Sequence, residues 1–321
     1  MTSDLYQGLQ QTHFSLEGIP DISENLEAEE LLDILVQNNR KDEVIDGVAK
    51  RITHAVVDDF VQFVFESLDA IRHARFSVAY ALLRKPFVDE LFILEQILVD
   101  KADFVDRYYF QGDTKLYDPS NSSLFDSVRK PTIEASINKL PFPTDFNADT
   151  VYEFRYDKAV KYGMNWVSNQ ALHIVTNHSK YRTLNKQLNF VFANSDDHKQ
   201  LWAHYYSVVS YLLHYSVAVI DEIVFSFLPD KIHRKHIKAT RRAMIQAYSN
   251  ALLPGNEGRI LELFAILSSE LAHVCKTCGH NIVFTPNELT TFMLNDKLTC
   301  VKCKADQFAD IEFQDRFLAL G

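Results

Sequence analysis

The chain is poor in the residues that make turns. Gly and Pro number only nine each among 321 residues. That is too few for the closely spaced turns of an all-β sandwich or barrel, and it favours long helices. Cysteine is scarcer still. The four present all fall in two Cys-x-x-Cys pairs, a spacing that belongs to metal binding in a reducing compartment rather than to a disulfide framework. The opening Met-Thr-Ser-Asp carries no basic stretch followed by an apolar one, so no secretory leader is expected and the expected location is cytoplasmic. There is no GxGxxG, no P-loop, no GxSxG and no HExxH. Internal repeats and low-complexity tracts are missing as well. The adjacent carboxylates Asp58-Asp59 and Asp221-Glu222 diverge by about 100° on a helix, so neither pair reads as an acid/base dyad. Asp89, Glu90 and Glu95 with Arg84 and Lys85 read as surface pairs at helical spacing.

What the chain does have is core material. Hydrophobic residues make up 47%, with 23 Phe and 14 Tyr, against 24% charged. These are the proportions of a globular protein. The net charge of −10 is unevenly placed. Residues 1–46 hold eleven acids against Arg40 and Lys41, a net −9, which leaves the remaining residues near neutral at −1. The overall charge therefore does not exclude a nucleic-acid partner.

Apolar periodicity predicts a short amphipathic helix over 24–38 and a long one over 42–70, where Val44, Ile45, Val48, Ile52, Val56, Phe60, Phe63 and Val64 recur at threes and fours. The pattern continues over 72–99. Pro86 should kink it or start a new helix at Arg84-Lys85. Residues 111–122 read as a loop. A helix capped at Ser123 to Asp126 should run to about Leu140. The box Thr150-Val-Tyr-Glu153 should start another that runs to Thr176. LNFVFA, within 179–196, is a strand or a loop. Asp196 or Asp197 should cap a central helix to Phe227. Further helices are expected over 231–252 and 257–273. Within the central helix, residues 201–220 contain no Asp, Glu, Lys or Arg. Their length permits a membrane span. His204, His214, three serines and four tyrosines favour the buried centre of a bundle instead, so no membrane contact is expected.

Cys275/Cys278 and Cys300/Cys303 predict one tetrahedral four-thiolate zinc ion. Gly279 follows the first knuckle and permits positive φ; Lys304 takes its place in the second. Thr285-Pro286-Asn-Glu288 is a capping box with Pro at the first helical position, so a short helix Pro286–Met293 should lie between the knuckles. His273 and His280 are spare to a complete ligand set. With four protein ligands the ion is expected to be structural. The module looks like a zinc ribbon, which occurs with many unrelated functions.

Residues 231–242 read KIHRKHIKATRR. Six cations and no acid fall in this stretch. At helical spacing Lys231, Arg234, Lys235, Lys238, Arg241 and Arg242 share one arc of about 120°. Such a ridge can neutralise phosphates of RNA or DNA. It can equally be a solvated face, or answer the acidic N-terminal segment. No aromatic residues interleave with it, so base stacking is not indicated.

The candidates for chemistry are Asn169, His173 and His214. The stretch SNQALH (Ser168 to His173) sets Asn and His at the spacing of a nuclease motif. Tyr206, Ser210 and His214 recur at four-residue spacing on the central helix. Over residues 150–227 the sequence resembles the divergent HEPN-like helical proteins, many of them in toxin–antitoxin and phage-defence systems. Their motif is Arg, four to six residues, then His. The resemblance implies a helical fold and metal-independent RNA cleavage. Ser168 stands where the arginine belongs, which implies a binding or scaffold version rather than a nuclease.

The expected architecture is mostly α: an acidic segment 1–46, an all-helical bundle 47–273, and a small C-terminal four-cysteine zinc-ribbon module with tail, 274–321. Two functions follow. The chain associates with nucleic acid through the 231–242 ridge, in microbial antiviral defence if the resemblance holds. Alternatively it is a protein-interaction subunit that uses the ribbon or the acidic N-terminus.

Overall fold

The computed structural model describes residues 27–140, 145–161, 163–191, 193–227, 273–282 and 297–308. The chain divides into two compact units, one ending at Phe227 and the other beginning at Leu228. The described part of the first is helical. Its elements are α1 (Ala28–Gln37), α2 (Lys41–Arg72), α3 (Phe76–Arg84), a π-helical turn (Lys85–Glu90), α4 (Leu91–Val105) and a second π-helical turn (Asp106–Gln111). After a 3-10 turn (Thr114–Leu116) follow α5 (Ser122–Phe125), α6 (Arg129–Asn138), α7 (Ala148–Arg155), α8 (Met164–Leu172) and α9 (Ser195–Ser226).

The long helices form where apolar residues recur at threes and fours. On α2, Val44, Ile45, Val48, Val57, Phe60 and Val64 are buried, while Ile52, Val56 and Phe63 are half-buried. This stripe packs against α3 and α4. Each fully buried aliphatic or aromatic side chain contributes roughly 1.5–3 kcal/mol. α9 is capped by Asn194. Its side-chain oxygen accepts from the Asp196 and Asp197 amides at 2.8 and 3.1 Å, and Asp197 accepts in return from the Asn194 amide at 2.9 Å. The cap therefore sits two or three residues ahead of the expected Asp196 or Asp197. Of the described helices, α9 is long and apolar enough to cross a membrane by length and composition. Its buried stripe (Tyr205, Val208, Val209, Leu212, Tyr215, Val219, Ile223) packs against α2 and α4, while Tyr206 and Val217 on the opposite side are exposed.

The structure refines one expectation and corrects two. At Arg84-Lys85, where Pro86 should kink the run or start a new helix, the α-helix gives way to a π turn. The rod from α3 to α4 continues through a π turn, in which the Leu91 amide bonds to the Pro86 carbonyl five residues back. A wider turn accommodates the proline ring and frees carbonyls for other donors. The helix expected from Ser123 to Leu140 is split into α5 and α6. Arg129 bridges the join, with an ion pair to Asp126 and a bond to the Pro119 carbonyl at 3.0 Å.

The helix expected from Val151 to Thr176 is split too. α7 starts at an Asn147 cap, which accepts from the Thr150 amide at 3.0 Å, and stops at Arg155. Tyr156 just after it is buried, Lys158, Ala159 and Lys161 are exposed, and α8 begins behind Gly163, where a Cβ would come within 3.1 Å of the Glu153 carbonyl. Residues 173–191 form a hydrogen-bonded loop without strand, so the described residues of LNFVFA contain no strand.

In the second unit the described residues are two antiparallel pairs. β1 (His273–Val274) pairs with β2 (Asn281–Ile282), and β3 (Lys297–Thr299) with β4 (Asp306–Phe308). His273 thus stands in a strand. The expected helices over 231–252 and 286–293, most of that over 257–273, and residues 1–26 lie outside the described residues.

Candidate metal centre

Each strand pair holds one Cys-x-x-Cys turn at its tip, and the two turns are built alike. In the first, the Gly279 amide bonds to the Cys275 carbonyl at 2.8 Å, and the Cys275 amide to the His280 carbonyl at 2.8 Å. In the second, the Lys304 amide bonds to the Cys300 carbonyl at 2.8 Å, and the Cys300 amide to the Ala305 carbonyl at 2.9 Å. Gly279 has φ 67° and Lys304 φ 60°. The second knuckle thus uses the same left-handed residue as the first, without a glycine to make it easy.

These turns aim backbone amides at sulfur. The Cys278 and Thr277 amides bond the Cys275 sulfur, the His280 amide bonds that of Cys278, and the Cys303 and Lys302 amides bond that of Cys300. Amide donors of this kind stabilise thiolates and orient them. The four Sγ atoms all lie within 4.8 Å of one another. Cys275 Sγ is 3.6 Å from Cys303 Sγ, and Cys278 Sγ is 3.7 Å from Cys300 Sγ. A disulfide needs about 2.05 Å. A tetrahedron with metal–sulfur bonds of about 2.3 Å has edges of about 3.8 Å. The donor set therefore fits one tetrahedral metal ion.

Electrostatics point the same way. Burial works against the Cys275 thiolate, but the two amides together with bonds from the Cys303 and Cys278 thiols outweigh it and bring the thiol down to about 6. Cys278, despite the His280 amide, is pushed up to about 12 by burial and by the neighbouring cysteines. Four sulfurs this close cannot all ionise without a cation between them.

The chemistry-bearing residues of the helical unit are in different settings. His173 caps the end of α8 and is exposed, and its carbonyl accepts from Asn189 Nδ2 at 2.7 Å. Asn169 is half-buried and tied to its own helix, its amide donating to the Asn165 carbonyl and side chain at 2.5 and 2.8 Å. Ser168 is buried and donates to the Met164 carbonyl. His214 is half-buried on α9, its ring 5.0 Å from that of Phe146. The ridge residues Lys231, Arg234, Lys235, Lys238, Arg241 and Arg242 lie outside the described residues.

Two polar clusters come from residues far apart in sequence; the first is wholly buried, and the second joins a buried carboxyl to an exposed ion pair. In one, Arg155 and Glu95 are both fully buried. Glu95 Oε1 accepts from Arg155 Nη1 at 2.5 Å and from the Tyr215 hydroxyl at 2.8 Å. Arg155 also donates to the Phe87 carbonyl at 2.6 Å and to the Tyr156 hydroxyl at 2.8 Å, and that hydroxyl donates to the Val88 carbonyl at 2.9 Å. Phe87 and Val88 belong to the first π turn, so this cluster fastens α7 to the freed carbonyls. Burial raises the Glu95 carboxyl against the pull of Arg155, whose own charge is held by Glu95 despite burial. With no exposed side chain in the ion pair, the cluster is structural.

In the other, Lys85 pairs with Asp59, and with Glu90 Oε1 at 3.1 Å. Glu90 is buried, and burial followed by the bond with Asp59 pushes its carboxyl up to about 8. The Arg84–Asp89 pair, at 3.6 Å, does lie near the surface as expected. Glu90 and Glu95 do not, because the π turn carries their part of the rod inward.

Comparison with known proteins names no relative: no protein family, no curated protein and no solved structure matches the chain.

Proposed function

We propose that this chain is a nucleic-acid-associating protein whose C-terminal unit is a zinc ribbon, with the zinc structural and the function one of binding. The observation that carries this is the paired knuckle geometry, four Sγ atoms within 4.8 Å of one another. A closed four-thiolate shell leaves no position for substrate. The knuckle turns carry Lys276, Lys302 and Lys304, all exposed. Residues 228–321 hold twelve Lys and Arg against ten Asp and Glu, while residues 1–227 carry a net −12. The cation-rich run Lys231–Arg242 belongs to this second unit. Its six charges supply what phosphate binding needs.

Two details argue against RNA cleavage by an HEPN-type site. Ser168, at the arginine position, is buried and bonded within its own helix. The Asn169 amide is likewise committed to Asn165.

The test is fluorescence anisotropy with RNA and DNA oligonucleotides over a salt series. Binding should weaken with salt, and the log–log slope should shrink by roughly 0.9 for each phosphate contact removed in Lys235→Glu/Lys238→Glu/Arg242→Glu. Salt-independent binding, or none, would sink the proposal. A stable protein partner that co-purifies and is lost on deleting residues 274–321 would favour the interaction-subunit alternative.

A further inference from the structure

The loop 173–191 is tied together by its own polar groups. Its interior is polar: the Thr183 amide bonds to the Thr176 carbonyl at 2.9 Å, the Thr176 amide to Thr183 Oγ1 at 2.7 Å, and Thr183 Oγ1 to Asn189 Oδ1 at 2.9 Å. The Asn189 amide bonds to the Ile174 carbonyl at 2.9 Å, drawing the two limbs together. α8 holds the loop from behind, through Trp166 Nε1 to the Lys180 carbonyl at 3.1 Å and Gln170 Nε2 to the Tyr181 carbonyl at 3.3 Å. The outside carries aliphatic side chains among cations and polar residues such as Asn177, Ser179, Asn185 and Gln187. Leu172, Ile174, Val175, Leu184 and Val191 are 52, 62, 48, 76 and 55% exposed. Backbone pairing of Ile174 with Asn189, and of Thr176 with Thr183, sets these side chains on neighbouring positions of one compact loop.

The same segment is basic within an acidic unit. From Lys158 to Ser195 there are five Lys and Arg and no acid. Elsewhere in the helical unit cations are mostly answered: Arg40, Lys41, Arg84, Lys85, Lys101, Arg107, Arg129, Lys130, Arg155 and Lys199 all hold ion pairs. Lys158, Lys180, Arg182 and Lys186 are exposed, and among the described residues none of them is ion-paired. Solvated aliphatic side chains beside unanswered cations match an anionic lipid surface: a hydrocarbon edge under a layer of phosphate and carboxylate. A single-stranded nucleic acid would want exposed rings instead. Here the rings are engaged, Tyr181 stacked on His178 at 4.4 Å and Phe190 against Tyr80 at 6.1 Å.

We infer that the 172–191 loop is a peripheral docking surface for anionic membranes, inserting Ile174, Val175, Leu184 and Val191 while Lys180, Arg182 and Lys186 contact lipid headgroups. This surface is separate from the nucleic-acid ridge, and the sequence pattern gave no expectation of membrane contact.

The test is sedimentation of the full chain with vesicles. Binding is expected to phosphatidylcholine vesicles containing phosphatidylserine and not to phosphatidylcholine alone, and it should fall with salt. Each cation removed should cost roughly fivefold, so Lys180→Glu/Arg182→Glu/Lys186→Glu should bind at least a hundredfold more weakly. Ile174→Ser/Leu184→Ser/Val191→Ser, which keeps every charge, should also lose binding. In the wild-type chain, brominated phosphatidylserine should quench tryptophan emission through Trp166, a readout that needs no variant. Three results would each overturn the inference: no binding to phosphatidylserine vesicles, vesicle binding undiminished in the serine variant, or oligonucleotide binding through the loop cations without vesicle binding.

Discussion

Arg155 and Glu95 meet 2.5 Å apart in the interior of the helical bundle, each with a fully buried side chain. Burying one charge without the other is costly, whereas burying neither is close to neutral. Glu95→Ala and Arg155→Ala should each lower stability by about 3–5 kcal/mol. The pair Glu95→Leu/Arg155→Met should lose far less than the two single changes together. Urea unfolding followed by circular dichroism measures this; additive losses would mean that the two residues act independently.

A second consequence concerns pH. Glu90 is buried, and burial and the bond with Asp59 lift its carboxyl from the ordinary 4.5 to about 8. Between these values the folded chain keeps a proton that the unfolded chain has released. Stability should therefore fall as pH rises through this window, then level off above about 8. Asp59 is shifted downward and Lys85 upward, so their contributions change outside it. Glu90→Gln should flatten the wild-type slope and leave the variant more stable than wild type at pH 9. Chemical denaturation at several pH values reads this directly, and a variant with the wild-type slope contradicts it.

Metal content gives a third. One zinc per chain is expected by elemental analysis, with a sulfur-only shell by X-ray absorption. Replacing Cys275 or Cys300 by Ser should lower zinc retention during chelator dialysis. A chain that retains zinc after both replacements would place the ion elsewhere.

The knuckles differ at one position, which allows a fourth. Lys304 occupies a left-handed conformation that costs a non-glycine residue about 1–2 kcal/mol. Lys304→Gly should therefore strengthen zinc retention, and Gly279→Ala should weaken it by a similar amount. Competition with a colorimetric chelator ranks the variants. Equal retention in all three proteins would mean that backbone strain does not limit the site.

The parts legible in sequence were those with local signals. The stripe on α2 announced itself through Val44, Val48, Phe60 and Val64, and the start and end of α9 were placed to within two or three residues. The two Cys-x-x-Cys turns specified their own cluster, because ligands at i and i+3 need no knowledge of the remaining fold. Glu90 and Glu95 could not be read this way. Spacing alone makes them i,i+4-type partners of nearby cations, but their environment comes from Asp59 on α2, Arg155 on α7 and Tyr215 on α9. The break at residues 156–163 was hidden for the same reason. Nothing local ends that helix; the residues that follow Arg155 turn away while Arg155 and Tyr156 reach the π turn from another element. The basic outer face of the 172–191 loop escaped notice because its cations are spaced too irregularly to form a stripe.

The first π turn bears on how this protein can tolerate change. Six residues at π pitch turn through about as much as five at α pitch, roughly 490° against 500°. Removing one residue from Lys85–Glu90 would therefore return the rod to ordinary helical pitch and leave Glu95 facing Arg155 and Tyr215, with the stripe of α4 still against α9. The loss would fall on the turn itself, where the Phe87 and Val88 carbonyls that accept from Arg155 and Tyr156 would be drawn back into the helix. A single-codon deletion here should thus cost a fastening and not the fold.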